Sequence, residues 1–401
     1  RRIHEALPAA VILLDFAYAE FADADLSRDV LELDRVVVAR TLSKAWGMPG
    51  IRVGYAIGQE PVIAAMRAAG GPFPVATASL AVAEAVFYWG EPARDATVAR
   101  VKENRTRLEA LLAELGETPT PSQGNFACVA GGRVLWIRDG LAGFGIAARL
   151  LLDDRLRITV PADDVSYDKL ERALRTVLSP EAVLFDLDGV FADVSESYRE
   201  AIRLTAAKYG VVVTPDAIRS RKAQGNANND WVVTTEFVKA AGFDVSLAEV
   251  TDAFERIYQR GPESPGLRER ERTIVPRDWI AGLAARYPLA IVTGRPRADA
   301  ERFLGRFGIR DLFRSVVTLE AGPLKPDPYP VAQAMRELGV SRAWMIGDTP
   351  DDIASARGAG ALPIGVIAPG EMATPAARAV LFSAGAARVF DSAIGIAQCL
   401  P

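Results

Sequence analysis

The chain has 401 residues, 50% of them hydrophobic and 24% charged, with a net charge of −4. This is the composition of a folded protein of two or three domains, and it supplies no basic field for nucleic acid or an anionic membrane surface. Two cysteines, Cys128 and Cys399, and one histidine, His4, are too few for a disulfide framework, a thiolate zinc site or a histidine metal centre, so a reducing, cytoplasmic setting is expected.

The sequence opens on RRIHEALPAA, without an initiating Met and almost directly before a strand, so the chain is expected to be cut from something longer. AVILLD (10–15) and RVVVAR (35–40) are apolar runs without alternation, as in strands covered on both faces of an α/β sheet. GPFPVATASLAVAEAVFYWG (71–90) contains two prolines and Glu84 and reads as a buried helix rather than a membrane span. From Val98 to Leu115 the apolar residues recur at helical spacing, and LRITV (156–160) is again a strand.

Within this first half Lys44 has a specific setting. Asp15 ends a strand, Tyr18 follows it, Thr41 and Ser43 precede the lysine, and Arg52 follows. A pyridoxal phosphate (PLP) site needs those parts: an amine to anchor the cofactor, a carboxylate for its ring nitrogen, a phenol near its ring oxygen, and hydroxyls with an arginine for its phosphate. Residues 1 to about 178 resemble the C-terminal part of fold-type I aminotransferases, most closely the histidinol-phosphate aminotransferase group, on LLDFAYAEF, TLSKAWGMPGIRVGY, PSQGNF (121–126) and LRITV. The resemblance implies that Lys44 anchors PLP and that Arg157, or Arg149, binds the substrate carboxylate. Family members carry the phosphate-cradling turn, a stacking aromatic and an Asn upstream of these stretches. PLP binding is therefore expected only in the full-length protein.

A second series begins near residue 178. AVLFD (182–186), LAIVT (289–293), SVVTL (315–319), AWMIG (343–347) and PIGVI (363–367) alternate with helical stretches, which implies a doubly wound parallel sheet with its site at the strands' carboxyl ends. About a hundred residues separate the first two strands, too many for a crossover, so a helical cap is expected there. In that span, RSRKAQGNANNDW (219–231) reads either as a polar substrate lining, with Arg219, Arg221, Lys222, Asn226, Asn228, Asn229 and Trp231, or as a solvated loop. RERER (268–272) reads as a solvated face.

Each strand mouth in this half carries a group suited to phosphoryl transfer. Asp186 and Asp188 stand two apart in FDLDGV, Thr293-Gly294 ends the second strand, Lys325 precedes PDP, and GDTPDD supplies Asp348 and Asp352. Carboxylates hold a hard divalent cation, an ammonium neutralises phosphate, and a hydroxyl fixes an oxygen. DxDG as a calcium loop fails, because VFADVSES lacks the later ligands.

On these motifs residues 181–401 resemble the haloacid dehalogenase (HAD) superfamily with a C1-type cap. The resemblance implies that Asp186 is the nucleophile, Asp188 the acid/base, and Thr293, Gly294 and Lys325 the phosphate site. It implies Mg²⁺ held by Asp186, Asp348 and the Asp188 backbone carbonyl, with Asp352 as a ligand or its support. Asp188 favours phosphomonoester hydrolysis over dehalogenation, because only an ester oxygen needs protonation.

The expected divisions are 1–75 and 76–178 for the large- and small-domain parts of the aminotransferase, and 181–401 for the phosphatase, with its cap at about 195–275. The leading reading is a fused Mg²⁺-dependent phosphatase acting on a small-molecule phosphate ester, with histidinol phosphate suggested by the neighbouring half. A HAD phosphomutase, a parent protein that is chiefly an aminotransferase, and a first half that only forms a homodimer stand as alternatives. No nucleic-acid or membrane partner is expected.

Overall fold

The computed structural model describes residues 1–260, 265–369 and 373–401. Residues 261–264 of the expected cap lie outside the described residues. The chain divides into two compact units, one of Arg1–Val134 with Ala148–Glu171, the other of Leu135–Ala147 with Arg172–Pro401.

In the first unit, β1 (Ile12–Asp15), β2 (Val36–Thr41) and β3 (Gly54–Gly58) form a sheet in that order, parallel and then antiparallel. The β-branched run Val36, Val37 and Val38 is buried, which suits a central strand. β1 departs from the sequence expectation. It pairs on one side only, and Val11 and Leu13 are exposed, so one of its faces is open. The helix Thr77–Trp89 forms where expected but is not buried. Ala83 alone of its residues is buried, packed near Leu42 and Val53, while Leu80, Phe87, Tyr88 and Trp89 are exposed. Its apolar surface runs round most of the helix, and among the described residues only one side is covered. No helix among them is long and apolar enough to cross a membrane.

A second sheet of this unit, β4 (Thr118–Thr120), β5 (Phe126–Ala130), β6 (Arg149–Leu150) and β7 (Arg155–Thr159), is antiparallel in the order β4-β5-β7-β6. The long helix Glu91–Glu114 buries Val101, Leu108, Leu111 and Leu112, the stripe that its spacing announces.

The second unit contains β8 (Ala182–Phe185), β9 (Ala192–Asp193), β10 (Arg272–Thr273), β11 (Leu289–Val292), β12 (Ser315–Val317), β13 (Ala343–Gly347), β14 (Leu362–Val366) and β15 (Arg388–Phe390). Six of them make a parallel sheet in the order β12-β11-β8-β13-β14-β15. Every residue of β8, β11, β13 and β14 is buried, which is why these strands read as unbroken apolar runs. The chain runs from β8 through β11 to one edge, then crosses to β13 and runs through β14 to the other, so the switch point lies between the carboxyl ends of β8 and β13. β9 and β10 form an antiparallel pair through which the chain leaves and re-enters the sheet domain. Among the described residues between them stand four α-helices, Tyr198–Lys208, Pro215–Ala223, Asp230–Ala240 and Leu247–Tyr258, which form the cap.

The back of this unit is closed by Trp344, whose indole nitrogen donates to the Thr176 carbonyl at 2.7 Å. Its ring meets Trp136 edge to face, with centroids 5.0 Å apart, and the Trp136 indole donates to the Val177 carbonyl at 3.2 Å.

Candidate active site

Three carboxylates and one ammonium converge at the carboxyl end of the parallel sheet. Asp186 follows β8 directly, Asp348 follows β13, and Asp352 lies in the first turn of the helix Pro350–Ala359. Oxygens of all three lie within 4.8 Å of one another. Lys325, buried to 4% exposure, donates to Asp186 Oδ1 at 2.7 Å, to Asp352 Oδ1 at 2.5 Å and to the Val292 carbonyl at 2.9 Å. The other oxygen of Asp352 accepts from the Thr349 backbone at 3.0 Å and its hydroxyl at 2.6 Å, which fixes the carboxylate while capping the helix.

Backbone space is as constrained as charge. Gly189 has φ +76°, and a Cβ there would fall on the Asp348 carboxylate, so only glycine lets the loop after Asp188 approach.

Burial pushes the Asp186 carboxyl up to about 7, against the pull of Lys325, and Asp352 and Asp188 add like-charge repulsion. Burial likewise drives Asp348 well above the usual carboxylate range, with Asp352 and Asp186 adding to it. Lys325 pairs with two of the three carboxylates, and Arg199 and Lys222 pull on Asp348, so with all three ionised the cluster carries more negative charge than its one directly bonded ammonium offsets. An all-oxygen donor set with that surplus fits a hard divalent cation such as Mg²⁺.

Thr293 is buried just beyond β11, and its hydroxyl oxygen accepts from the Arg295 backbone N–H at 3.2 Å, leaving its hydrogen to donate. Asp188 stands apart from the carboxylate cluster, with Arg295 Nε donating to its Oδ1 at 2.6 Å. Asp186, Asp188, Gly294 and Asp348 all line a cavity of about 390 Å³, roofed by the cap and walled on one side by Val366, Ile367 and Leu381.

In the first unit, Lys44 Nζ lies 5.5 Å from the Tyr18 ring centroid. Tyr18 meets Phe126 edge to face at 5.4 Å, and the Arg157 guanidinium lies 4.5 Å from the Phe126 centroid. One aromatic chain thus links the lysine to Arg157. Thr41 and Ser43 hydrogen-bond each other at 3.0 Å beside the lysine, and Asp15 Oδ1 accepts from the Ala17 backbone at 3.0 Å. Arg52 is exposed and turns onto its own loop, donating to the Pro49 carbonyl at 2.8 Å. Arg149 is exposed and lies opposite Arg157 in the β6–β7 register.

Comparison with known proteins divides the chain near residue 178, so that 135–147 and 172–177 fall in the first match although they pack in the second unit. The family Aminotransferase class I and II matches residues 3–177, and the haloacid dehalogenase-like hydrolase family matches residues 180–360. The chain joins an aminotransferase domain to a HAD-like hydrolase domain. An imidazoleglycerol-phosphate dehydratase of Phytophthora nicotianae is 43% identical over 230 residues, covering 54% of this chain and 51% of that protein. An aromatic amino acid aminotransferase of Corynebacterium glutamicum (strain R) is 36% identical over 178 residues, covering 43% and 50%. A haloacid dehalogenase-like family hydrolase of Streptococcus pneumoniae superposes with a TM-score of 0.42 at 21% identity, covering 55% of this chain and 98% of that one. The chain spans about half the length of the curated relatives it matches.

The cap of the hydrolase domain divides the residues expected to line its cavity. Arg219, Lys222 and Asn228 do line it, with Lys222 paired to Asp230 at 2.8 Å. Arg221 instead pairs with Glu236 at 2.7 Å, while Asn229 caps the helix Asp230–Ala240 and the Trp231 indole donates to Glu255 at 3.0 Å, although Asn229 and Trp231 also line a smaller pocket with Asp188 and Gly294. These three hold the cap together. The Asn226 backbone donates to Asp351 Oδ1 at 2.8 Å, and Ala227 and the Asn228 amide each donate to Asp351 Oδ2 at 2.9 Å.

RERER also differs from expectation. Glu269, Arg270 and Arg272 are exposed, but Glu271 is buried and pairs with Arg295 at 3.0 Å. The run holds a short 3-10 turn, Leu267–Arg270, after which the backbone extends and turns that one side chain inward. Charge alternation does not signal this.

Proposed function

We propose that the hydrolase domain is a Mg²⁺-dependent phosphatase that hydrolyses a small phosphomonoester through a phosphorylated Asp186. The observation that carries this reading is the gathering of Asp186, Asp348 and Asp352 within 4.8 Å of one another, with Lys325 bridging Asp186 and Asp352, and Asp186 and Asp348 lining the cavity. Asp186, Asp348 and Asp352 would hold Mg²⁺, which when bound offsets the negative charge gathered there and on the transferring phosphoryl group.

Asp186 attacks phosphorus as the ester P–O bond breaks, and the leaving oxygen takes its proton from Asp188. Water then attacks the aspartyl phosphate, its proton passes to Asp188, and release of phosphate restores Asp186. Lys325, the Thr293 hydroxyl and the Gly294 backbone N–H hold the phosphoryl oxygens, while the cap excludes bulk water.

Histidinol phosphate is the leading substrate candidate. The first half resembles the aminotransferases that form it, and the Phytophthora relative is named for another imidazole-bearing phosphate ester. Phosphate release from a panel of small esters, with and without Mg²⁺, tests the reading. Mg²⁺-dependent turnover with histidinol phosphate among the best substrates is expected. Conversion of a sugar phosphate to its isomer without phosphate release would favour a mutase.

The link from Lys44 through Tyr18 and Phe126 to Arg157 supports a second activity in the aminotransferase domain. Lys44 would hold PLP, which when bound supplies the electron sink for amino transfer. Asp15, Tyr18, Thr41, Ser43 and Arg52 would contact its ring and phosphate, and Arg157 or Arg149 the substrate carboxylate. A cytoplasmic location and a homodimer through this domain belong to the same proposal.

A further inference from the structure

Arg295 is almost completely buried, at 2% exposure, and makes two carboxylate contacts in different directions. Its Nη1 donates to Glu271 Oε2 at 3.0 Å. Nε donates to Asp188 Oδ1 at 2.6 Å, and Nη2 lies 2.6 Å from the same oxygen. The guanidinium is also held between rings, 4.9 Å from the centroid of Tyr198 and 5.2 Å from that of Phe303.

One counter-charge suffices to bury a guanidinium, and Glu271 already provides it. Glu271 is itself anchored, because its Oε1 accepts from Ser197 Oγ at 3.0 Å and from the Tyr258 hydroxyl at 2.9 Å. Ser197 precedes the first cap helix and Tyr258 ends the fourth, while Glu271 immediately precedes β10. The far side of the guanidinium is thus locked to both ends of the cap, and its planar fork leaves Nε and Nη2 one direction in which to point. That direction is Asp188, the partly exposed carboxylate on the cavity wall.

We propose that Arg295 is the positioning residue for Asp188. By holding Oδ1 it fixes the carboxyl with Oδ2 towards the cavity, where the leaving oxygen of the substrate lies. The inference rests on the reading of Asp188 as the acid of a phosphatase. Proton transfer requires hydrogen-bond reach, and losing it costs about 10²–10⁴-fold. The cost falls only on leaving groups that need a proton.

The test compares kcat/KM, which reports steps through departure of the leaving group, for p-nitrophenyl phosphate and for β-glycerophosphate, in Mg²⁺. Arg295→Met alone strands Glu271 without a cation, so it is made together with Glu271→Gln, and Arg295→Lys is made as the conservative variant. Asp188→Asn is expected to lower the alkyl ester about 100-fold more than the aryl ester. The double variant is expected to reproduce that selectivity at about 10-fold or more, with Arg295→Lys intermediate. If the double variant does not fold, Arg295→Lys carries the comparison, because lysine keeps the charge but lacks the fork. Equal losses on both esters in the Arg295 variants, beside a selective Asp188→Asn, would overturn the positioning role alone. An Asp188→Asn variant without selectivity would take down the phosphatase reading and this inference with it.

Discussion

Asp186 must act as an anion where burial opposes its charge. Replacing it with asparagine removes the nucleophile but also relieves that opposition, and the amide oxygen can still accept from Lys325. Asp186→Asn is therefore expected to lose phosphatase turnover by about 10⁴-fold or more while melting no lower than the parent without metal. EDTA should silence the parent. The raised carboxyl also sets a pH dependence. A folded-state value of about 7 lies above that of a free carboxyl, so this group's contribution to metal-free stability is fully present below the ordinary carboxylate range and is lost as pH rises through about 7. Mg²⁺ must displace that proton, so its affinity should rise from pH 6 to pH 8, measurable by calorimetry or by the Mg²⁺-induced shift in Tm. Asp186, Asp188, Thr293, Asp348 and Asp352 were legible in the sequence because each lies at or soon after a strand mouth, and Lys325 because it precedes PDP in the loop after β12. Arg295 and Glu271 were not. Their roles depend on pairings 107 and 24 residues apart, which no local pattern marks.

At the level of elements, the cap loop at residues 226–228 rests on one buried carboxylate, Asp351, which accepts three hydrogen bonds from it. Asp351→Ala would leave those donors unpaired at a cost of about 1–3 kcal/mol. The expected outcome is faster amide exchange at Asn226 and Ala227 and a raised KM, with a smaller change in kcat. Unchanged exchange would show that the loop is held by other contacts. The cap itself was legible from the interval between two strands, but its internal assignments were not. Arg221 looks like lining in a linear reading and turns out to brace helices, whereas Asn229 and Trp231 both brace helices and line a small pocket beside Asp188. In the aminotransferase domain, Lys44→Ala is expected to abolish retention of PLP absorbance through gel filtration. Retention by the parent chain is expected to be weak, because Arg52 turns towards Pro49 and Asp15 is exposed.

For the molecule as a whole, the two halves differ in how their apolar surface is covered. The parallel strands of the hydrolase domain are buried, whereas Leu13, Phe73, Tyr88 and Trp89 of the aminotransferase domain are exposed, Phe73 at 96% and Trp89 at 83%. An apolar surface of that kind promotes self-association, so sedimentation of the whole chain is expected to depend on concentration, and Phe73→Asp with Trp89→Asp to weaken that dependence. Apolar periodicity revealed the helix Thr77–Trp89 but could not say what covers it, since exposure belongs to tertiary structure. The Trp136–Trp344 contact bears on heredity. A recombination break at the border between the two families would strip Trp344 of its ring neighbour and of the carbonyl that accepts its indole proton. Selection on the hydrolase would then preserve the last stretch of the aminotransferase domain as inherited masonry, even in a lineage where Lys44 had fallen silent.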